Sequence, residues 1–181
     1  MLTLKEHGVF TFRVYKPNGE LRVERKAHNT MTNEGANRIL NLAFNTSSAP
    51  GEDTVYTGLI SSTVPSSGRT VAATNTALNI KEDTASPPYD NNWTELVNAG
   101  ISQRATSTLG FTSASNKVSF TDATFAITSN EETAAGAFIV SNQTSGSTSG
   151  TLFACALFTG GNLTIEAGET VKVTFEMTLN P

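Results

Sequence analysis

The sequence predicts a mainly β protein: an antiparallel β-sandwich or jelly-roll-like body that carries an N-terminal β-hairpin and one short helix. Three observations lead there. Apolar and polar residues alternate strictly over Val171–Leu179, the period of a half-buried strand. Two runs, Ala137–Val140 and Leu152–Phe158, are apolar on both parities, as in strands covered on both faces. Gly-, Asn- and Ser-rich turns separate these short runs, the punctuation of an antiparallel sandwich.

The hairpin spans residues 8–28. Phe10, Phe12 and Val14 alternate with Thr11 and Arg13, and Lys16-Pro17-Asn18-Gly19 supplies the turn, with Pro fixing φ and Gly accepting a positive one. Leu21 and Val23 then alternate with Arg22 and Glu24 on the return strand. The helix is expected over 32–44. Thr32 or Asn33 caps it, Ala36, Ile39, Leu40, Ala43 and Phe44 form one apolar stripe, and Met31 is placed to staple onto Ala36.

Thr54–Ile60 reads as a short strand, and Ser61–Gly68 and Thr84–Asn92 as irregular stretches. Val118 and Phe120 lie on one parity, Phe125 and Ile127 on the other, so a bulge or tight turn is expected near Asp122-Ala123. Ser145–Gly150 reads as a flexible hairpin tip, and Ala167-Gly168 turns the chain into the last strand. Residues 1–44 and 45–181 are expected to form one compact unit, with the hairpin and helix packed on the β body.

Composition narrows the function. The chain has 181 residues and a formal charge of -4, which argues against binding nucleic acid through phosphate contacts. Charged residues are only 15%, below the roughly one quarter of an average domain, yet ten Phe residues in patterned runs predict a folded chain. One cysteine, Cys155, excludes an internal disulfide. Lys5 and Glu6 interrupt the N-terminus before an apolar stretch forms, so it does not read as a signal peptide, and no run is long enough for a membrane-spanning helix. The sequons at Asn45 and Asn162 carry meaning only in a secreted chain.

Candidate chemistry is sparse. His7 and His28 flank the open end of the hairpin and fit either a base beside a nucleophile or strand-end polar groups. Glu95, Asp122, Glu131 and Glu132 are the carboxylates a glycosidase pair would draw on, but no motif couples them. Asp90-Asn91-Asn92 suits a hard cation or an ordinary turn. Trp93, the only Trp, suits a sugar platform, a loop anchor or a subunit interface. No catalytic site, cofactor or metal is expected.

Charge is unevenly distributed. Residues 1–44 hold seven basic and four acidic groups, and the remainder five basic and twelve acidic. Arg13, Lys16, Arg22, Arg25 and Lys26 all lie on the hairpin. The layout suggests a docking element for an acidic surface, or equally a strand edge blunted by charge.

The run Ala27-His28-Asn29-Thr30-Met31-Thr32-Asn33-Glu34-Gly35, followed by the amphipathic helix, resembles a pattern in virion structural proteins of tailed bacteriophages. Trp93-Thr94-Glu95, Gln103-Arg104, Gly136-Ala137-Phe138-Ile139 and the strand after Ala167-Gly168-Glu169 are similar to its second half. Segment 61–92 has no counterpart in it. The resemblance implies a non-enzymatic capsid decoration (cement) protein, made in the host cytoplasm and sited on the virion exterior. It implies the major capsid protein as partner and a homotrimer as the assembly, with no nucleic acid or membrane involved. A homotrimer also suits Leu152–Phe158, since a neighbouring subunit can cover one face of that run. Arg13, Lys16, Arg22, Arg25 and Lys26 are then the capsid-binding candidates, and Trp93 an oligomer-interface or loop-anchor candidate. The runner-up function is a tail-fibre or receptor-binding module that contacts host-surface glycans, and a depolymerising enzyme is a distant third, for which no motif marks a carboxylate pair or a triad.

Overall fold

A computed structural model describes residues 5–44, 54–62, 94–97, 103–111, 117–128 and 130–180, together with Thr74 and Ile101. The expectations for the Ser61–Gly68 loop beyond Ser62, for Thr84–Asn92 and for Trp93 lie outside these residues. Among the described residues, two six-stranded antiparallel sheets face each other as a β-sandwich.

The first sheet is built from both ends of the sequence. β1 (Lys5–Tyr15) pairs with β2 (Leu21–His28) as a hairpin. Its other edge pairs with β12 (Thr170–Asn180) over eleven residues, from Lys5 opposite Asn180 to Tyr15 opposite Thr170. β12 then holds β7 (Lys117–Phe120) and β8 (Ala123–Ala126), and β7 holds β6 (Leu109–Phe111). β7 and β8 are one strand broken by the expected bulge. The pairings leave Thr121 and Asp122 opposite the single Thr174, whose hydroxyl donates to Asp122 Oδ1 at 2.6 Å. The extra residue moves the inward parity from Phe120, and Val118 opposite the core residue Met177, to Ala123, Phe125 and Ile127.

The second sheet runs β3 (Thr30–Met31), β10 (Leu152–Leu157), β9 (Glu132–Val140), β4 (Val55–Ser61) and β5 (Ala105–Ser107), with β11 (Leu163–Ile165) also on β9. Between the sheets lie Phe10, Phe12 and Val14 of β1, Val171, Val173, Phe175 and Met177 of β12, and Leu59, Ala137, Ile139, Ala154 and Ala156. The Phe10 and Phe175 rings meet at a tilt, 4.6 Å between centres, and Phe158 meets Phe12 edge-on at 4.3 Å. Lys172, Thr174 and Glu176 face outward and half-exposed, as the alternation requires.

The double apolarity of β9 and β10 has its explanation inside one chain. A second cluster of Ile60, Ala135, Phe138, Val140, Leu152 and Cys155 lies on the outer face of the second sheet, and every member is buried. The run Leu152–Phe158 therefore gives no reason for a neighbouring subunit to cover it. Phe138 reaches its place because Gly58 stands opposite it in β4. A Cβ on Gly58 would sit 2.2 Å from the Phe138 ring, so a side chain there is incompatible with the ring.

Helix α1 (Asn33–Phe44) lies against β10. Thr32 is its cap: its Oγ1 accepts from the Gly35 N–H at 3.0 Å, and its hydroxyl donates to the Leu152 carbonyl. Glu34 accepts from the Leu152 N–H at 2.9 Å. A Cβ on Gly35 would lie 2.4 Å from the Phe153 carbonyl oxygen, so this glycine sets the closeness of helix and strand.

Candidate interaction surface

The two sheets differ in what covers them. The second is packed on both faces, whereas the outer face of the first is open and polar, the usual state of one side of an antiparallel sandwich. Rows of side chains cross that face. Glu24, Arg13, Lys172 and Thr124 stand side by side on successive strands, as do Lys26, Thr11 and Thr174, and His28, Val9, Glu176 and Ser119. Arg13 donates to Glu24 at 2.8 Å, and Lys117 pairs with Glu176 at 2.7 Å. Lys172 Nζ lies 5.5 Å from the Tyr15 ring centre. The Lys117 ammonium, against the effect of burial and with help from Ser119 and Lys26, holds the Glu176 carboxyl below its ordinary pKa.

The hairpin departs from simple alternation at Arg22. Val23 faces Val14, but Leu21 faces Tyr15, so β2 carries one extra residue there. Strict alternation would place Leu21 inward with Val23. The bulge instead sets Leu21 beside Tyr15 on the outer face, 46% exposed, the only large apolar side chain so exposed among the described residues.

It also turns Arg22 onto the body. Its guanidinium makes a two-pronged contact with Glu169 at 2.5 and 2.7 Å and donates to the Thr164 carbonyl. Glu169 is 2% exposed. Burial opposes its ionisation, but Arg22, the Glu166 N–H and Lys16 together hold its pKa below the ordinary value.

The five hairpin cations thus divide by role. Arg13 and Lys26 belong to the open face. Lys16 sits in the turn, 3.0 Å from Glu20. Arg25 is opposite Phe12, on the core-facing side. It donates to the Gly161 and Asn162 carbonyls at 2.7 and 3.2 Å and lies over Phe158. Arg22 and Arg25, two of the capsid-binding candidates, are thus fastened to a carboxylate and to carbonyls of their own chain, and are not presented beside Arg13. Lys117 and Lys172, far away in sequence, join the face only through β12 and were not legible as part of it.

The loop between β9 and β10 is also corrected. Residues 145–150 are fastened down. Arg104 and Glu95 form a fully buried two-pronged ion pair at 2.9 and 2.8 Å. Arg104 further donates to the Asn142 and Ser147 carbonyls, and Glu95 accepts from the Gly146 N–H at 2.7 Å. Arg104 also lies 5.2 Å from the Phe138 ring centre. The Glu95 carboxylate is thereby a structural partner of Arg104.

The other sequence candidates do not converge. His28 lies opposite Val9, Asp122 holds the bulge, and Glu132 opens β9 opposite Ile165 of β11. Among the described residues no three His, Cys, Asp or Glu side chains gather into a group able to hold a metal, and no helix is long and apolar enough to cross a membrane. Comparison with known proteins finds no family model and no curated protein that matches the chain.

Proposed function

We propose that the chain is a non-enzymatic capsid decoration protein of a tailed bacteriophage, bound to major capsid protein subunits on the particle exterior. The observation that supports this best is the open outer face of the first sheet, a charged surface formed by the hairpin and β12 and fastened to the body through Arg22 and Arg25. Arg13, Lys26, Lys117 and Lys172 are its contact cations, and Leu21 its apolar contact. Each exposed charge pair contributes only about 0–1 kcal/mol, so attachment combines charge with burial around Leu21. The resemblance to virion proteins supplies the partner.

A tail-fibre or receptor-binding role is the second reading. It draws on the hydroxyl-rich Ser141–Thr151 loop, which the buried Arg104–Glu95 pair holds in one shape. The two readings separate by copy number and place. Quantitative mass spectrometry and antibody labelling of particles of the phage that encodes the chain are expected to find hundreds of copies over the shell. A few copies at the tail support the second reading, and absence from the particle refutes both.

A further inference from the structure

We infer that the free edge of β2 pairs with β2 of a second copy of the chain, joining two first sheets into one continuous sheet about a two-fold axis. β2 ends its sheet: β1 occupies one side, and no described strand occupies the other. Glu24, Lys26 and His28 are exposed, and among the described residues no backbone hydrogen bond meets β2 from that side, so the edge lies open. Such an edge carries unpaired N–H and C=O groups and is a template for another strand.

The sequence of the edge fits itself. The bulge at Arg22 ends the regular stretch at Val23. From Val23 to Ala27 the strand pairs with β1 without a shift, and these five residues are centred on Arg25. An antiparallel pair symmetrical about residue 25 sets Glu24 of each copy opposite Lys26 of the other. It also sets Val23 opposite Ala27, twice. A two-fold interface requires this self-complementarity. Both charged partners are available. Glu24 uses Oε2 for Arg13, which leaves Oε1 to accept, and Lys26 has no carboxylate within ion-pair distance among the described residues. Arg25 lies on the axis, and its guanidinium is engaged by carbonyls of its own chain at Gly161 and Asn162. Regular pairing stops where the bulge begins, which fixes the register.

This inference does not rest on the capsid reading; pairing takes Lys26 from the capsid contacts and leaves Arg13, Lys117 and Lys172 to them, and it is tested on the purified chain. Light scattering across a wide concentration range is expected to give a mass approaching twice 19.1 kDa, falling to the single-chain mass on dilution. Lys26→Glu sets Glu24 against a second carboxylate, and Glu24→Lys sets Lys26 against a second ammonium. Each is expected to weaken association ~10-fold or more while circular dichroism stays unchanged. Mixing the two variants restores opposite charges at every position and is expected to give a heterodimer. A wild-type chain that stays single or forms a three-chain species overturns the inference. So do variants that associate as wild type does, a mixture that fails to associate, or association only with strands of a different protein.

Discussion

Replacing Arg104 with Met tests whether the Glu95–Arg104 pair fastens the β9–β10 loop. Both side chains are almost wholly shielded from water. Removing the cation leaves Glu95 a buried carboxylate whose remaining described hydrogen bond comes from the Gly146 N–H. Breaking one side of a buried pair costs about 3–5 kcal/mol. The Asn142 and Ser147 carbonyls also lose a donor, but they lie in a loop that can turn toward water. Met retains a contact with the Phe138 ring that Arg104 covers. For a chain of this length the deficit corresponds to a Tm lowered by about 6–20 °C.

The companion variant carries Glu95→Leu and Arg104→Met together. It buries no charge and leaves chiefly the Gly146 N–H unpaired, a cost of about 1–3 kcal/mol, so it is expected to be more stable than Arg104→Met alone. Urea and thermal unfolding followed by circular dichroism at pH 7 measure both. A single variant within ~1 kcal/mol of wild type refutes the reasoning, as does a double variant no more stable than the single.

Three further outcomes are expected. Glu169 and Glu176 have pKa values lowered in the folded state, so their stabilisation is complete above the ordinary carboxylate value of about 4.3 and is lost as pH falls through the lower folded values. Tm measured from neutral to acid pH declines accordingly, and Arg22→Gln makes that decline shallower. Leu21→Ser, at an exposed position, changes stability by no more than ~0.5 kcal/mol, whereas Val23→Ser costs more because Val23 packs on the core; equal unfolding costs contradict the bulge at Arg22. Burial pushes the Cys155 thiol up to about 12, so at pH 8 an aromatic disulfide reagent labels it only as the chain unfolds, and labelling faster than unfolding contradicts that placement.

Much of the fold was legible because one side chain at a time reports it. The alternation of Val171 to Met177 gave β12, and the parity change between Phe120 and Phe125 gave the bulge at Asp122. Thr32 before an apolar stripe gave the helix start. Arg22 was not legible, since its bulge lies beside the hairpin turn, and a single apolar residue, Leu21, cannot reveal a parity change. The pairing of Glu95 with Arg104 was hidden for another reason. Both residues stood in the quoted motifs, but a buried ion pair depends on which loops meet, and no local periodicity encodes that. The covered outer face of β9 and β10 was visible as apolarity on both parities. What covers such a face is a tertiary fact, and a partner subunit and a segment of the same chain leave the same sequence signal.

The pairing of β1 with β12 orders events during synthesis. β1 meets β2 as soon as the hairpin leaves the ribosome, but its other edge waits for residues 170–180. Until they emerge, Phe10 and Phe12 lack the strand that brings Phe175 against Phe10, and an apolar strand edge stays open. Contacts spanning this much sequence form slowly, because the intervening chain must be closed into a loop first. The nascent chain therefore carries a sticky, unfinished first sheet while residues 16–169 are made. β12, made more than 150 residues after β1, closes that open edge.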